Sequence, residues 1–164
     1  MIPTLEQLAI EAADLLTALR ARDLRIATAE SCTGGLIAAA LTEVPGSSDV
    51  FERGFVTYSN AAKIEDLGVS PELIQLRGAV SREVAEAMAT GTLERSKANV
   101  SVAVTGVAGP GGGSSVKPVG LVHLASAGRQ GTLLHKELRL GEIGRREIRL
   151  ATVGEALRLV RALL

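Results

Sequence analysis

LRIATAESCTGG, residues Leu24–Gly35, is the stretch that decides the fold class of this 164-residue chain. Its apolar first half, Leu24–Ala29, predicts a short strand, and Glu30–Gly35 then turns into a small-residue helix over Leu36–Leu41. A strand that runs directly into a helix is the building unit of α/β domains. Because ligands in such sheets bind beyond the C-terminal ends of parallel strands, the same stretch predicts where a site would lie.

The segments on either side continue the alternation of helices and strands. Helices are predicted over 4–20, Ala61–Leu67, Ser81–Ser96 and 145–163, with one more turn at Pro71–Leu76, and strands over Phe55–Tyr58, Val100–Thr105, Val119–Ser126 and Thr132–Leu140. The last two strands read as a hairpin that turns near Gly128, which makes the sheet mixed. We therefore predict one α/β layered domain over residues 1–164.

The composition excludes several classes of protein. Eighteen basic and eighteen acidic residues give no net charge, and one Tyr, two Phe and no Trp leave few rings for stacking bases, so a nucleic-acid partner is disfavoured. One Cys and two His exclude an internal disulfide and leave little for a zinc site. Neither a signal peptide nor an apolar run of the ~18 residues that a membrane span needs is found. We expect a cytoplasmic protein without a membrane partner.

The first candidate site is the small polar cluster after the first strand. Ser31 stands where a nucleophile would stand, Cys32 is beside it, and the amides at a helix start suit an anion or an oxyanion. The alternative is structural: Ser31 and Thr33 cap the helix, Gly34 and Gly35 allow close packing, and Cys32 is buried. From the residues alone the structural alternative is favoured, because short motifs are weak evidence.

A second candidate lies in Tyr58–Lys63. If Ser59 caps the helix, Lys63 lies roughly 6 Å along the axis and its arm can lean back towards Tyr58. An ammonium eases formation of a phenolate, and a desolvated lysine loses its proton more easily, so either side chain could act as base for a serine. The alternative is an exposed lysine and an ordinary half-buried tyrosine.

A third candidate is the glycine-rich loop Thr105–Gly113, which also follows a strand. Its glycines let backbone amides approach a ligand closely, although it fits neither a P-loop nor a Rossmann fingerprint. A flexible connector is the less favoured alternative. His123, in mid-strand, is predicted to be structural, and Arg145, Arg146 and Arg149 could form surface pairs or supply one arginine for a phosphate.

Several long motifs then occur in a characteristic order: TAESCTGG (Thr28–Gly35), VTYSNAAKIEDLGV (Val56–Val69), GAVSREVAEAMA (Gly78–Ala89), AVTGVAGPGGG (Ala103–Gly113) and KPVG (Lys117–Gly120). With them the chain resembles the CinA C-terminal domain family, the nicotinamide-nucleotide amidohydrolases, over roughly residues 5–163. It looks like the stand-alone form, without the molybdopterin-binding-like domain of full-length CinA proteins.

The resemblance implies a three-layer α/β/α sandwich with a mixed sheet. It implies hydrolysis of the carboxamide of nicotinamide mononucleotide to nicotinate mononucleotide and ammonia, in pyridine nucleotide recycling, with no metal and no organic cofactor. A link to competence or DNA damage, at which the family name hints, stays open. So does the oligomeric state, for which the apolar first helix and the Leu-rich C-terminus permit a homodimer.

The resemblance also implies roles for individual residues. Ser31 would be the nucleophile, and Tyr58 and Lys63 would handle its proton, without a decision between them. The substrate would be bound by Glu30, Thr33, Gly34, Gly35, Ser48, Asn60, Thr105, Gly106, Gly109, Gly111 and Arg145. Arg146 competes with Arg145, because the family's usual Gly-Asp-Arg is replaced here by Gly144-Arg145-Arg146.

Two alternatives to this function stay open. The domain could be a non-catalytic module that senses a nucleotide or another phosphate ligand, since the glycine loop and a helix N-terminus suffice for binding. A weaker alternative is a thiol enzyme that uses Cys32.

Overall fold

The computed structural model describes residues 1–164 as six α-helices, one 3-10 turn and five strands. In chain order these are α1 (Leu5–Arg20), β1 (Ile26–Glu30), α2 (Leu36–Thr42), the 3-10 turn (Ser47–Asp49), β2 (Phe51–Val56), α3 (Asn60–Leu67), α4 (Pro71–Arg77), α5 (Arg82–Glu94), β3 (Val100–Gly106), β4 (Leu121–Gly128), β5 (Leu133–Arg139) and α6 (Arg145–Leu163). The predicted α/β class is confirmed. The second strand differs from its prediction, because it begins earlier and ends before Tyr58.

The five strands form one mixed sheet in the order β2-β1-β3-β4-β5. β1 pairs in parallel with both β2 and β3, while β4 and β5 continue the sheet as an antiparallel hairpin. Glu30 at the end of β1 lies opposite Val56 on one side and Val104 on the other. The C-terminal ends of the three parallel strands therefore meet at one edge, which we call the site edge.

Two hydrophobic clusters cover the two faces of the sheet and confirm the three-layer arrangement. The larger one joins one sheet face to α1, α2 and α6, and the smaller one joins the other face to α3, α4 and α5. All five residues of β1 are buried, as expected for a strand covered on both faces.

Helix α5 touches the end of α3 through a glycine. A Cβ built on Gly91 would lie 2.0 Å from the carbonyl oxygen of Leu67, so only glycine permits this approach. The contact fixes the helix that carries Lys63. None of the six helices is both long and apolar enough to cross a lipid bilayer.

Candidate active site

A lysine and a serine meet at the site edge. Lys63 Nζ donates hydrogen bonds to Ser31 Oγ at 3.0 Å and to the Thr57 carbonyl oxygen at 2.9 Å. The helix that carries Lys63 begins at Ser59, whose Oγ accepts from the Ala62 amide at 3.0 Å. The predicted cap is therefore confirmed, and it sets the direction from which Lys63 reaches back to the sheet.

Burial favours Lys63 as a proton acceptor. Only 1% of it is exposed, and no carboxylate is among its hydrogen-bond partners. Desolvation lowers the pKa of Lys63, and the charge of a Cys32 thiolate would oppose this effect only in part. The alternative of an exposed surface lysine is thus wrong, and a neutral amine beside Ser31 can take up the hydroxyl proton.

Ser31 is anchored to the sheet. Its amide donates to the Val104 carbonyl oxygen on β3 at 3.0 Å, and its carbonyl oxygen accepts from the Gly34 amide at 3.0 Å. Ser31 is buried and its side chain lines a cavity. These contacts define a tight turn over residues 31–34, the Ser31–Gly34 turn, that leads into α2.

Glu30 caps α2, and this corrects two expectations. Its fully buried carboxylate accepts hydrogen bonds from the amides of Gly35, Ile37 and Ala38 at 3.1, 3.0 and 2.9 Å. The cap is therefore neither Ser31 nor Thr33, and these three amides are already occupied, so they cannot bind an anion. Enclosed in this way, Glu30 supports the turn rather than contacting a substrate.

The amides of Cys32 and Thr33 have no acceptor within the chain, whereas both carbonyl oxygens are held. Arg149 Nε donates to the Cys32 carbonyl oxygen at 3.1 Å, and Arg149 Nη2 donates to that of Thr33 at 2.9 Å. Sequence reasoning did not single out Arg149 for this turn. The available signal is its spacing of four residues from Arg145, which places both arginines on one face of α6.

Burial makes the thiol of Cys32 hard to ionise. Cys32 is 6% exposed, and burial raises its pKa to about 12, so the thiolate that a thiol enzyme needs is disfavoured. The buried cysteine of the structural alternative is confirmed, and the thiol-enzyme alternative is disfavoured.

Tyr58 lies on the rim of the site rather than beside the Ser31–Lys63 pair. It is 61% exposed, and its hydroxyl accepts a hydrogen bond from Arg145 Nη2 at 2.9 Å but makes none with Ser31 or Lys63. Arg145 Nη1 also donates to the Gly109 carbonyl oxygen at 2.7 Å. Arg145, and not Arg146, therefore faces the site, and the predicted contact between Tyr58 and Lys63 is not formed.

A cavity of about 310 Å³ adjoins these groups. It is lined by Ser31, Cys32, Tyr58, Val80, Gly106, Val107, Ala108, Gly109, Gly111, Gly112 and Arg145. Six of the residues singled out in the sequence thus come together: Ser31, Tyr58, Gly106, Gly109, Gly111 and Arg145. A larger cleft between α1 and α6, of about 590 Å³, contains no serine, cysteine or lysine and offers no comparable chemistry.

Other predicted binding residues lie elsewhere. Ser48 belongs to the 3-10 turn before β2, and the Ile26 amide bonds to the Val50 carbonyl oxygen, so Ser48 sits at the opposite edge of the sheet from Ser31. Thr105 is buried, and its hydroxyl donates to the Ala79 carbonyl oxygen at 2.8 Å. The expectation that these two side chains bind substrate does not fit the structure.

The remaining predicted residues surround the site without lining the cavity. Thr33 is fully buried with its hydroxyl unpartnered, and Asn60 is exposed as the first residue of α3. Gly34 and Gly35 have φ values of 59° and 99°, which shows that they turn the chain between Ser31 and α2. Both amides are occupied, by the Ser31 carbonyl oxygen and the Glu30 carboxylate, so these glycines shape the turn.

His123 is structural, as predicted. It is 7% exposed on β4, and its Nδ1 lies 3.0 Å from Nε2 of His135 on β5, with the two rings stacked. This pair links the hairpin strands beside α5.

The fold and the site together define a class: an α/β/α domain with a serine–lysine dyad at the C-terminal ends of its parallel strands. The model of the CinA C-terminal domain matches residues 9–164, and the chain belongs to this family. The competence/damage inducible protein CihA from Agrobacterium tumefaciens has a solved structure that is 56% identical, with a TM-score of 0.95, covering 99% of this chain and 98% of that one. A CinA superfamily protein from Escherichia coli is 37% identical, with a TM-score of 0.90, covering 98% and 91%.

Curated relatives are longer. A CinA-like protein from Synechococcus is 51% identical over 148 residues, which are 90% of this chain and 35% of that protein. One from Akkermansia muciniphila is 60% identical over 113 residues, or 69% and 27%. The chain spans about a third or less of the first relatives it matches, at 30, 26 and 33% of their lengths.

Proposed function

We propose that this protein hydrolyses the carboxamide of nicotinamide mononucleotide, giving nicotinate mononucleotide and ammonia, with Ser31 as nucleophile and Lys63 as base. One observation carries the proposal: the buried Lys63 amine lies 3.0 Å from the Ser31 hydroxyl and has no acidic partner. A serine with an adjacent base is the arrangement that attack on an unreactive amide requires. The choice of substrate rests on membership of the family.

The first half of the reaction forms an acyl-enzyme. Neutral Lys63 takes the proton of Ser31 Oγ as the oxygen attacks the carboxamide carbon and forms the new C–O bond. The Cys32 amide, which has no acceptor in the chain, suits the developing oxyanion. Lys63 then returns its proton to the nitrogen as the C–N bond breaks, and ammonia leaves.

The second half repeats the proton transfers with water. Lys63 takes a proton from a water molecule, whose oxygen attacks the acyl carbon. The tetrahedral intermediate collapses, the bond to Ser31 Oγ breaks, and Lys63 returns the proton to the serine. The carboxylic acid product is released and loses its proton to ammonia or to solvent, which leaves the carboxylate, and the dyad is restored.

Arg145 and the glycine loop are suited to the nucleotide part. Arg145 is the one arginine that lines the cavity, and its guanidinium can bind a phosphate in a bidentate manner. The amides of Gly111 and Gly112 have no acceptor within the chain and can add donors. A local anion site of this kind explains how a protein without net charge could bind a nucleotide.

The test is ammonia release from nicotinamide mononucleotide with a metal chelator present. We expect release by the wild type and by Ser48→Ala, an exposed serine at the opposite edge of the sheet, and none by Ser31→Ala. Wild-type release by Ser31→Ala would eliminate the serine mechanism. No release by folded wild type, with tight binding of the mononucleotide, would instead favour the non-catalytic binding module.

A further inference from the structure

The side chain of Arg149 binds the turn that carries the nucleophile. Its two hydrogen bonds go to consecutive carbonyl oxygens, those of Cys32 and Thr33, 117 and 116 residues away along the chain. It has no carboxylate partner, and it does not line the cavity. In the structure it therefore forms neither a surface ion pair nor part of the cavity wall.

The planarity of peptide units explains what the hydrogen bonds from Arg149 do to the turn. In a trans peptide the N–H points opposite to the C=O of the preceding residue. Holding the Cys32 carbonyl therefore sets the direction of the Thr33 amide, and the bond from the Gly34 amide to the Ser31 carbonyl sets that of the Cys32 amide. The two free amides of the Ser31–Gly34 turn are those of Cys32 and Thr33. The direction of each is thus set by a hydrogen bond to the carbonyl oxygen of the same peptide unit.

The bond from Arg149 to the Cys32 carbonyl has no substitute. No other donor reaches that oxygen, whereas the Thr33 carbonyl also accepts from the Leu36 amide at 3.2 Å. The turn continues into Gly34 and Gly35, the residue type with the widest choice of backbone conformations. Without Arg149 the turn would keep its anchor to β3 through Ser31 but lose its anchor to α6.

We propose that Arg149 is a positioning residue, which holds the Ser31–Gly34 turn in the shape that presents the Ser31 hydroxyl and the Cys32 amide to the carbonyl under attack. The inference rests on the proposed serine mechanism. It extends that mechanism to a side chain outside the cavity, acting through two backbone carbonyls. A shift of about 1 Å in such a turn can cost about 100-fold in rate, because both nucleophile and oxyanion donor move.

The experiment compares Arg149→Ala and Arg149→Lys with Arg161→Ala, an exposed arginine at the far end of the same helix. For Arg149→Ala we expect kcat for ammonia release to fall about 100-fold, with KM within about threefold of wild type. Added guanidinium chloride at millimolar concentration should restore part of that kcat. The kcat of Arg149→Lys should lie between those of wild type and Arg149→Ala, because lysine lacks the planar pair of donors. The kcat of Arg161→Ala should match wild type.

Three results would overturn the proposal: wild-type kcat in Arg149→Ala or in folded Arg149→Lys, a loss confined to KM, or a loss that guanidinium does not relieve. Unchanged melting temperatures for Arg149→Lys and Arg161→Ala serve as the folding check. If Arg149→Ala does not fold, the kcat of Arg149→Lys decides alone.

A fluorophosphonate probe separates this inference from the choice of substrate. Ser31 Oγ attacks phosphorus, the P–O bond forms, the P–F bond breaks, fluoride leaves and Lys63 receives the proton. If wild type is labelled at Ser31 but releases no ammonia, the nicotinamide substrate is wrong, and slower labelling of Arg149→Ala still supports the positioning role. Equal labelling rates for wild type and Arg149→Ala would refute it, and so would a wild type that is neither labelled nor active.

Discussion

Replacement of Lys63 by methionine should abolish turnover without costing stability. The side chains have similar shape, and methionine adapts readily to buried sites. We expect kcat to fall about 1,000-fold or more, because the serine loses its base and general-base catalysis alone contributes about 100- to 10,000-fold. Lys97→Met, at an exposed position, is the matched control and should keep wild-type kcat.

The stability side follows from the contacts of Lys63. Methionine loses two hydrogen bonds, to Ser31 and to the Thr57 carbonyl, each worth about 0.5–1.5 kcal/mol. It also removes the cost of burying an amine with no acidic partner, the desolvation that lowers the pKa of Lys63. The two effects oppose each other, so the melting temperature should stay within about 5 °C of wild type or rise.

The pH dependence supplies an independent check with a definite sign. The pKa of Lys63 is lowered from its ordinary value of 10.5, so between these two values the unfolded chain holds a proton that the folded chain has lost. Stability therefore rises with pH across that window, and kcat/KM rises with pH as the neutral amine forms. Both slopes should be absent in Lys63→Met. Activity within tenfold of wild type in folded Lys63→Met would refute the dyad, and unfolding of that variant would point to a structural lysine.

Three further outcomes are expected. Cys32→Ala should keep ammonia release within about threefold of wild type, and native protein should resist iodoacetamide, because the thiol pKa is about 12. A large loss of activity in Cys32→Ala, or strong inhibition by iodoacetamide, would support a role for the thiol. Burial lowers the pKa of His123 and His135 below 6.5, so just below pH 6.5 only the unfolded chain takes up protons, and thermal melts should show stability falling as the pH drops. His135→Gln should flatten this slope, and an unchanged slope would contradict its assignment to the histidine pair. Gly91→Ala should lower stability by about 1–3 kcal/mol, since its Cβ would meet the Leu67 carbonyl, and a wild-type melting curve would show that the helices separate without cost.

The sequence was a good guide to the elements that carry the site. The strand before Ser31, the cap at Ser59 and the loop after Thr105 were all recognisable, because periodicity, capping and glycine content act over a few residues. It was a poor guide to what each polar side chain contacts. Glu30 was expected to bind substrate and instead caps α2, and Ser48 lies at the opposite edge of the sheet.

The sequence by itself determined the α/β class, the order of the elements and the small polar turn at the end of the first strand, because these follow from local rules. Only the tertiary structure decided which partner Ser31 has. Lys63 is 32 residues from Ser31 along the chain, and Arg149 is 117 residues from Cys32. Their contacts depend on strand register and on how α3 and α6 pack against the sheet. Burial, which lowers the pKa of Lys63 and raises that of Cys32, is likewise a property of the packed chain, and it makes the amine a better base while keeping the thiol protonated.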